Sequence, residues 1–202
     1  MAVFILPTNV LENGGKWCII YITTNKRINM SSTAFTNKWN YRFMEMALHV
    51  STWSKDQSTK VGCIVVGPDK EIRSQGYNGF PRGVDDTKSK RQERPIKYAF
   101  YEHAERNAVY NACLFGASLK GCTLYVTTPP CADCARAIIQ SGIKRVYFMA
   151  PAANATKVSD PCNWRETVKV SFDMFREAGV KAVKLDRDTV NKHIAEIAKS
   201  LK

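Results

Sequence analysis

No apolar stretch of this sequence approaches the roughly 18 residues that a membrane span needs; the longest, "WCIIYI" from Trp17 to Ile22, falls far short. The N-terminal "MAVFILPTNVLENGGKW" lacks a basic segment ahead of its apolar residues and lacks a small-residue cleavage site, so it makes a poor secretory signal. Internal repeats and low-complexity tracts are absent. Acidic side chains are scarce, with 18 Asp and Glu against 30 Lys and Arg, a formal charge of +12. Histidine occurs three times, so each copy is worth following. These absences exclude a membrane-spanning helix and point to a cytoplasmic protein, one that charge draws toward polyanions or phosphorylated small molecules.

With 202 residues and 45% apolar composition, the chain has enough material for one ordinary core. Residues 35–202 are expected to form that single domain. Residues 1–34, with "NGG", "TTNKRINMSST" and an internal Met30, read as an extension with an alternative start. Seven cysteines (Cys18, Cys63, Cys113, Cys122, Cys131, Cys134 and Cys162) form an odd set in a chain without a secretory signal, which argues for reduced thiols. Cys63, Cys113 and Cys122 lie in apolar stretches and are expected in the core.

From about Asn37 to Ser54, Trp39, Phe43, Met46, Val50 and Trp53 recur at spacings of three and four, the pattern of a helix with one buried stripe, capped by Thr36 or Asn37. "KVGCIVV" and "EIRSQGYN", joined by the turn "GPDK", predict an antiparallel hairpin. Gly79 to Lys97 has no periodicity and reads as a long loop, a feature that is usually functional or disordered. A helix from His103 to Phe115, a strand from Cys122 to Thr128, a helix with Pro130 before it and Gly142 after it, and the strand "RVYFMA" then alternate. A second loop, Pro151 to Asn163, precedes a helix with Trp164, Val168, Phe172 and Phe175 on one side. The strand "KAVKL" and a last helix striped by Val190, Ile194, Ile197 and Leu201 complete the chain. Strand-helix-strand units demand parallel neighbours, so the expected fold is an α/β, three-layer αβα sandwich: a mixed sheet of about five strands with helices on both faces.

Two stretches carry chemistry. In "TTPPCADC", Cys131 and Cys134 stand three apart at a helix start, where the helix N-terminus favours thiolates. In "YEHAERNA", His103 also opens a helix and supplies a nitrogen. A C-x-x-C alone fits a redox motif or half of a structural zinc site, and H-A-E alone occurs by chance. Together they give three protein ligands, the number a catalytic zinc site has when its fourth position stays open. Glu105, two residues past the histidine, is then spaced to take a proton from an activated water and pass it to a substrate. His49 and His193, in the first and last helices, read as ordinary helical histidines.

With these residues in view, the chain resembles the deoxycytidylate (dCMP) deaminase family of the zinc-dependent cytidine deaminase superfamily, whose signature is H-x-E…P-C-x-x-C. The likeness extends from Trp39 to Val183 through "WSKDQSTKVGCIVV", "GYNGFPRGVDD", "HAERNA", "LYVTTPPCADCARAIIQSGIKRVYF" and "FREAGVK". It implies zinc held by His103, Cys131 and Cys134, proton transfer by Glu105, and hydrolysis of dCMP to dUMP and ammonia, which would supply thymidylate synthesis. It further implies Asn78 beside the nucleotide sugar, Ala104 among the substrate contacts, and Arg82 or a cation of the basic loop on the 5′-phosphate. Some family members hold a second, structural zinc with extra Cys and His, which "STWSKDQSTK" and Gly79 to Lys97 lack, so one zinc per subunit is expected. Where members often carry an effector-linked arginine this chain has Leu114, so the resemblance leaves control by dCTP and dTTP open. A homo-oligomer is expected, with "FMEMALHV" and "RAIIQSGI" as apolar material for an interface.

Two other functions compete. An editing deaminase acting on a flipped base in RNA or single-stranded DNA is suggested by the net charge and the basic run Lys88 to Lys97. Aromatic residues are not interleaved with that run, which counts against nucleic acid. A zinc-stabilised assembly module without catalysis would leave Glu105 and the open position without a use.

Overall fold

The computed structural model describes residues 30–150 and 164–200, with side chains from residue 38 on. In chain order the elements are α1 (Met30–Ser51), β1 (Gly62–Val66), β2 (Ile72–Tyr77), a 3-10 turn (Ser89–Gln92), α2 (Lys97–Phe100), α3 (Ala104–Phe115), β3 (Thr123–Val126), α4 (Ala132–Gln140), β4 (Arg145–Met149), α5 (Trp164–Glu177), β5 (Lys181–Leu185) and α6 (Arg187–Ser200). The five strands form one sheet in the order β2-β1-β3-β4-β5. β1 is antiparallel to both β2 and β3, whereas β3, β4 and β5 run parallel, as the helical crossovers between them require. The expected mixed sheet with helices on both faces is the observed architecture.

Alternation along the central strands divides the interior in two. In β1, Cys63 and Val65 feed one cluster while Ile64 and Val66 feed the other. Leu124, Val126, Val146 and Phe148 join the first cluster beneath α3, α4 and α5; Tyr125 and Met149 join the second beneath α1 and α6. β1 is buried along its whole length, hence its continuous apolar run.

Several local expectations are corrected. α1 starts at Met30, so Thr36 and Asn37 lie inside it and not at its start. No Gly or Pro interrupts the stretch, and each added residue gains a backbone bond once a helix exists. Its buried stripe is Phe43, Met44, Ala47 and Val50, while Met46 and Trp53 are exposed, because the helix is rotated by about one residue from the aromatic-weighted guess. Cys63 and Cys122 are buried, but Cys113 is exposed on the outer face of α3. The long loop contains the 3-10 turn, and α2 begins at its last residue. The loop Pro151 to Asn163, the extension before residue 30, Cys18, Cys162 and Leu201 lie outside the described residues.

The packing of α3 on the edge strand β2 decides where the candidate site forms. Asn107 Nδ2 and Asn111 Nδ2, one helical turn apart, donate to Tyr77 O at 2.7 Å and Gln75 O at 2.6 Å. They thereby cap edge carbonyls that no neighbouring strand satisfies. Ser74 Oγ returns a bond to Ala108 O at 2.6 Å. Such close approach needs Gly76, where a Cβ would stand 2.3 Å from Ala104 O and 2.4 Å from Ala108 N. Gly76→Ala is therefore expected to cost about 1–3 kcal/mol by overpacking and to weaken metal retention, since it displaces the helix start next to His103. Denaturant unfolding and zinc titration check both effects; unchanged midpoint and affinity would show that the backbone contact is not limiting.

Candidate metal centre

α3 and α4 begin with the same device. Each is preceded by an extended residue at the N-cap position, His103 (φ −78°, ψ 153°) and Cys131 (φ −78°, ψ 174°), whose side chain makes no capping bond. Where Ser or Asp would turn back to satisfy the helix N–H groups, these two side chains remain free to point elsewhere. The turn from β3 into α4 is fixed by Thr127, whose N–H donates to Gly62 O at 3.1 Å and whose hydroxyl accepts from Gly62 N at 3.2 Å. Pro129 and Pro130, both buried, complete it. On the far side, Thr167 of α5 accepts a bond from Ala132 N at 2.9 Å, placing an oxygen over the first turn of α4.

The result is a tight cluster. Cys131 Sγ and Cys134 Sγ lie 3.5 and 3.4 Å from His103 Nδ1. All three ligand atoms fall within 4.8 Å of one another, and among the described residues this is the one such group of His, Cys, Asp or Glu able to hold a metal ion. Zinc–sulfur and zinc–nitrogen bonds of about 2.3 and 2.05 Å at tetrahedral angles put S and N about 3.6 Å apart. The observed separations fit, and so does the donor set. His49 and His193 stand apart from the cluster: His49 packs on Trp53 and His193 on Tyr41.

Electrostatics in the cluster are mutual. The Cys131 thiol is pulled down to about 4, first by the hydrogen bond from Cys134 and then, against burial, by His103. Cys134 is pushed up by the same bond and by burial, and His103 is raised chiefly by its bond to Cys131. Glu105, 2% exposed in the first turn of α3, is raised by burial, with the Cys131 charge adding to it and His103 opposing. A carboxyl that protonates more easily than usual, beside three metal-ligand atoms, is suited to hold and release a proton.

Of the remaining residues singled out from the sequence, Ala104 is fully buried directly after His103. Asn78 is also buried, at the end of β2, and Gly79 after it pairs by two backbone bonds with Glu102, the residue before His103. Arg82 is exposed and donates to Asn111 on α3, so the arginine expected at a phosphate is here tied to the helix. Sequence reasoning missed Glu102, which accepts from His103 N at 3.1 Å and from Arg106. It missed Arg106 too, whose charge, partly buried, is felt by both Cys131 and Cys134. The "E-H-A-E-R" order, acidic and basic residues four apart on a helix start, was the available signal. The basic loop also looks different in three dimensions: Arg91 lies over Phe100 at 4.6 Å, Arg94 over Tyr98 at 5.8 Å, and Lys97 over Tyr101 at 5.3 Å. Cations and rings separated along the chain are thus stacked on one another.

Comparison with known proteins agrees with this geometry. Residues 37–150 match the model of the cytidine and deoxycytidylate deaminase zinc-binding region. An uncharacterized deaminase from the luxG 3′ region of Aliivibrio fischeri is 43% identical over 75% of this chain and 97% of its own length. The deoxycytidylate deaminase of Mus musculus is 36% identical over 71% of this chain and 77% of its own. Among solved structures, dCMP deaminase from the cyanophage S-TIM5 in complex with dCMP and dUMP is 26% identical, with a TM-score of 0.56 over 78% of this chain and all of that one. In none of the described helices is there a segment long and apolar enough to cross a membrane.

Zinc coordination requires both sulfurs as thiolates. Since Cys131 already favours the thiolate and Cys134 the thiol, loading zinc at neutral pH is expected to expel about one proton from Cys134, with any on His103 leaving as well. Calorimetry in buffers of different ionisation enthalpy reads this directly. A binding heat independent of the buffer would contradict it.

Proposed function

The chain belongs to the cytidine and deoxycytidylate deaminase family, and we propose that within it this protein hydrolyses dCMP to dUMP with release of ammonia, supplying dUMP for thymidylate synthesis. The observation that carries the reading is the convergence of His103, Cys131 and Cys134 around one point with the buried carboxyl of Glu105 beside them. The relatives named deoxycytidylate deaminase and the dCMP- and dUMP-bound structure of a similar fold support the choice of substrate.

His103, Cys131 and Cys134 would hold zinc, which when bound would supply Lewis acidity and lower the pKa of water to about 7. Glu105 takes the proton given up as a water oxygen adds to C4 of cytosine, and delivers it to N3. It then carries the remaining proton of the added water, from the C4 hydroxyl to the C4 amino group; the C4–N bond breaks, a carbonyl forms at C4, and ammonia leaves. Burial suits Glu105 to this traffic because it narrows the gap between the carboxyl's proton affinity and that of the groups it serves. Glu102 and Arg106 keep His103 and the first turn of α3 in register through the bonds described above. Asn78 is assigned to the sugar side, and the phosphate to Arg82 or the basic loop, by the family likeness.

A second reading, deamination of a flipped base in a single strand, draws on the stacked cations and rings between Arg91 and Tyr101. Those ring faces are already covered by the chain's own side chains, which favours the free nucleotide. Measuring ammonia from dCMP, dCTP, cytidine and single-stranded oligonucleotides separates the two: dCMP turnover is expected, and salt-sensitive turnover of oligonucleotides alone would overturn it. Glu105→Gln is expected to lower kcat on the order of 10²–10⁴-fold or more with zinc content unchanged. Normal activity in that variant would remove Glu105 from the mechanism.

A further inference from the structure

The two sulfur ligands stand at a helix start that is held by a side chain from a different helix. An α-helix leaves its first N–H groups without intrahelical acceptors. In α4 the ladder opens with Ala135 N donating to Cys131 O at 2.9 Å, so the N–H groups of Ala132, Asp133 and Cys134 lie ahead of it. A side chain at the N-cap position reaches the second or third of these and not the first. Cys131, which occupies that position, makes no capping bond at all. The first N–H, that of Ala132, is met from α5: it donates to Thr167 Oγ1 at 2.9 Å, across 35 positions of chain.

α5 gives that oxygen a fixed place. The Phe172 ring lies 5.1 Å from the ring of Phe148 on β4 and 6.3 Å from that of Phe175, which is 1% exposed. The helix is thus seated on the sheet by aromatic packing that does not depend on the first turn of α4. Ser171, one turn beyond Thr167 on the same side of α5, is fully buried, and its Oγ has no partner among the described residues. Of these two hydroxyls, the one that is matched is matched to the backbone next to Cys131.

We propose that Thr167 is a positioning residue for the metal centre: it satisfies the first N–H of α4, so that Cys131 and Cys134 can hold an ion without stranding a backbone donor between two helices. This rests on the reading of His103, Cys131 and Cys134 as zinc ligands. The reason is a difference between two states. Without a cation, the first turn of α4 can loosen and offer Ala132 N–H to water. With Cys131 and Cys134 both committed to one ion, the residues between them are closed into a short ring and that freedom is gone. A part-buried N–H held there without an acceptor costs free energy in the loaded state, and the contribution of the hydroxyl therefore shows as metal affinity.

The test uses the full-length protein, stripped of metal and reloaded with zinc or cobalt(II). Thr167→Val exchanges the hydroxyl for a methyl group and keeps the β-branching, so the acceptor is what it removes. It is expected to weaken zinc affinity about ten-fold, read by competition with a chromophoric chelator, with the unfolding midpoint of the metal-free protein close to normal. The visible absorption of the cobalt-loaded variant, which reports the cobalt–thiolate geometry, is expected to shift. Thr167→Ser keeps the oxygen and should return both affinity and spectrum toward those of the unaltered protein. Ser171→Ala, which deletes the unmatched hydroxyl one turn away, should leave both as they are. Should the valine variant fail to fold, Thr167→Ala removes the same oxygen and serves in its place. Unchanged affinity and spectrum in the variant lacking the oxygen would overturn the proposal, as would an equal loss in Thr167→Ser. A loss of metal-free stability with normal affinity, the result that helix packing alone would give, would overturn it too. If the unaltered protein took up neither metal, the reading of the cluster would fall and this proposal with it.

Discussion

Three ligand atoms contributed by two helices can lie within bonding reach of a common point only if both helix starts are brought there with little freedom left. His103 stands before α3 and Cys131 before α4, and each start is anchored by something other than the ligand it carries. α3 is held at its side, where Gly76 admits its backbone against β2 and Asn107 and Asn111 satisfy the strand's outer carbonyls. α4 is held at its root, where Thr127 joins β3 to the first residue of β1. Rigidity around the cluster is thus supplied by sheet and helix hydrogen bonds that do not involve the ligand side chains.

The same anchoring creates the electrostatic setting of Glu105. A carboxyl in the first turn of α3 would ordinarily be solvated and helped by the helix dipole toward ionisation. Here α3 lies so close to the sheet that its first turn is covered, and burial raises the carboxyl's proton affinity. The raised proton affinity of Glu105 therefore follows from how near the helix packs. Farther out, Asp56 and Lys97 show the opposite treatment of buried charge: a cation placed on the carboxylate, aided by Ser58, keeps it ionised below the ordinary carboxylate range in spite of its burial.

Much of the site is legible in the sequence because its chemistry is concentrated in short, local patterns. H-A-E and P-C-x-x-C each occupy a single helix start, where spacing alone says which side chains share a face. The β–α–β order is legible for the same reason, since the period of apolar residues switches between strand and helix along "CTLYVTT", "CARAIIQSG" and "RVYFMA". The stripe of α1 defeats this kind of reading because large aromatics ordinarily mark a buried side, whereas here Met44 and Ala47 face the core and Trp53 meets Tyr77 near the surface. The exposure of Cys113 has a similar origin. In "NACLFGA" the exposed side of α3 is itself apolar, so hydrophobicity does not reveal which way the helix is turned.

Residues within one turn or one strand of each other were enough to set the elements, their order, and the three side chains that cluster as a candidate metal site, and all of these could be read from the chain unfolded on the page. The cooperation of distant residues is a different matter and came from the packed molecule: Asp56 with Lys97 and Asn78, Thr127 with Gly62, Arg82 with Asn111. Such pairs span 22 to 65 positions of chain. No local periodicity encodes them, since their partners are selected by which loops the sheet order places side by side, and it is the burial of those loops that forces each polar atom to find its match.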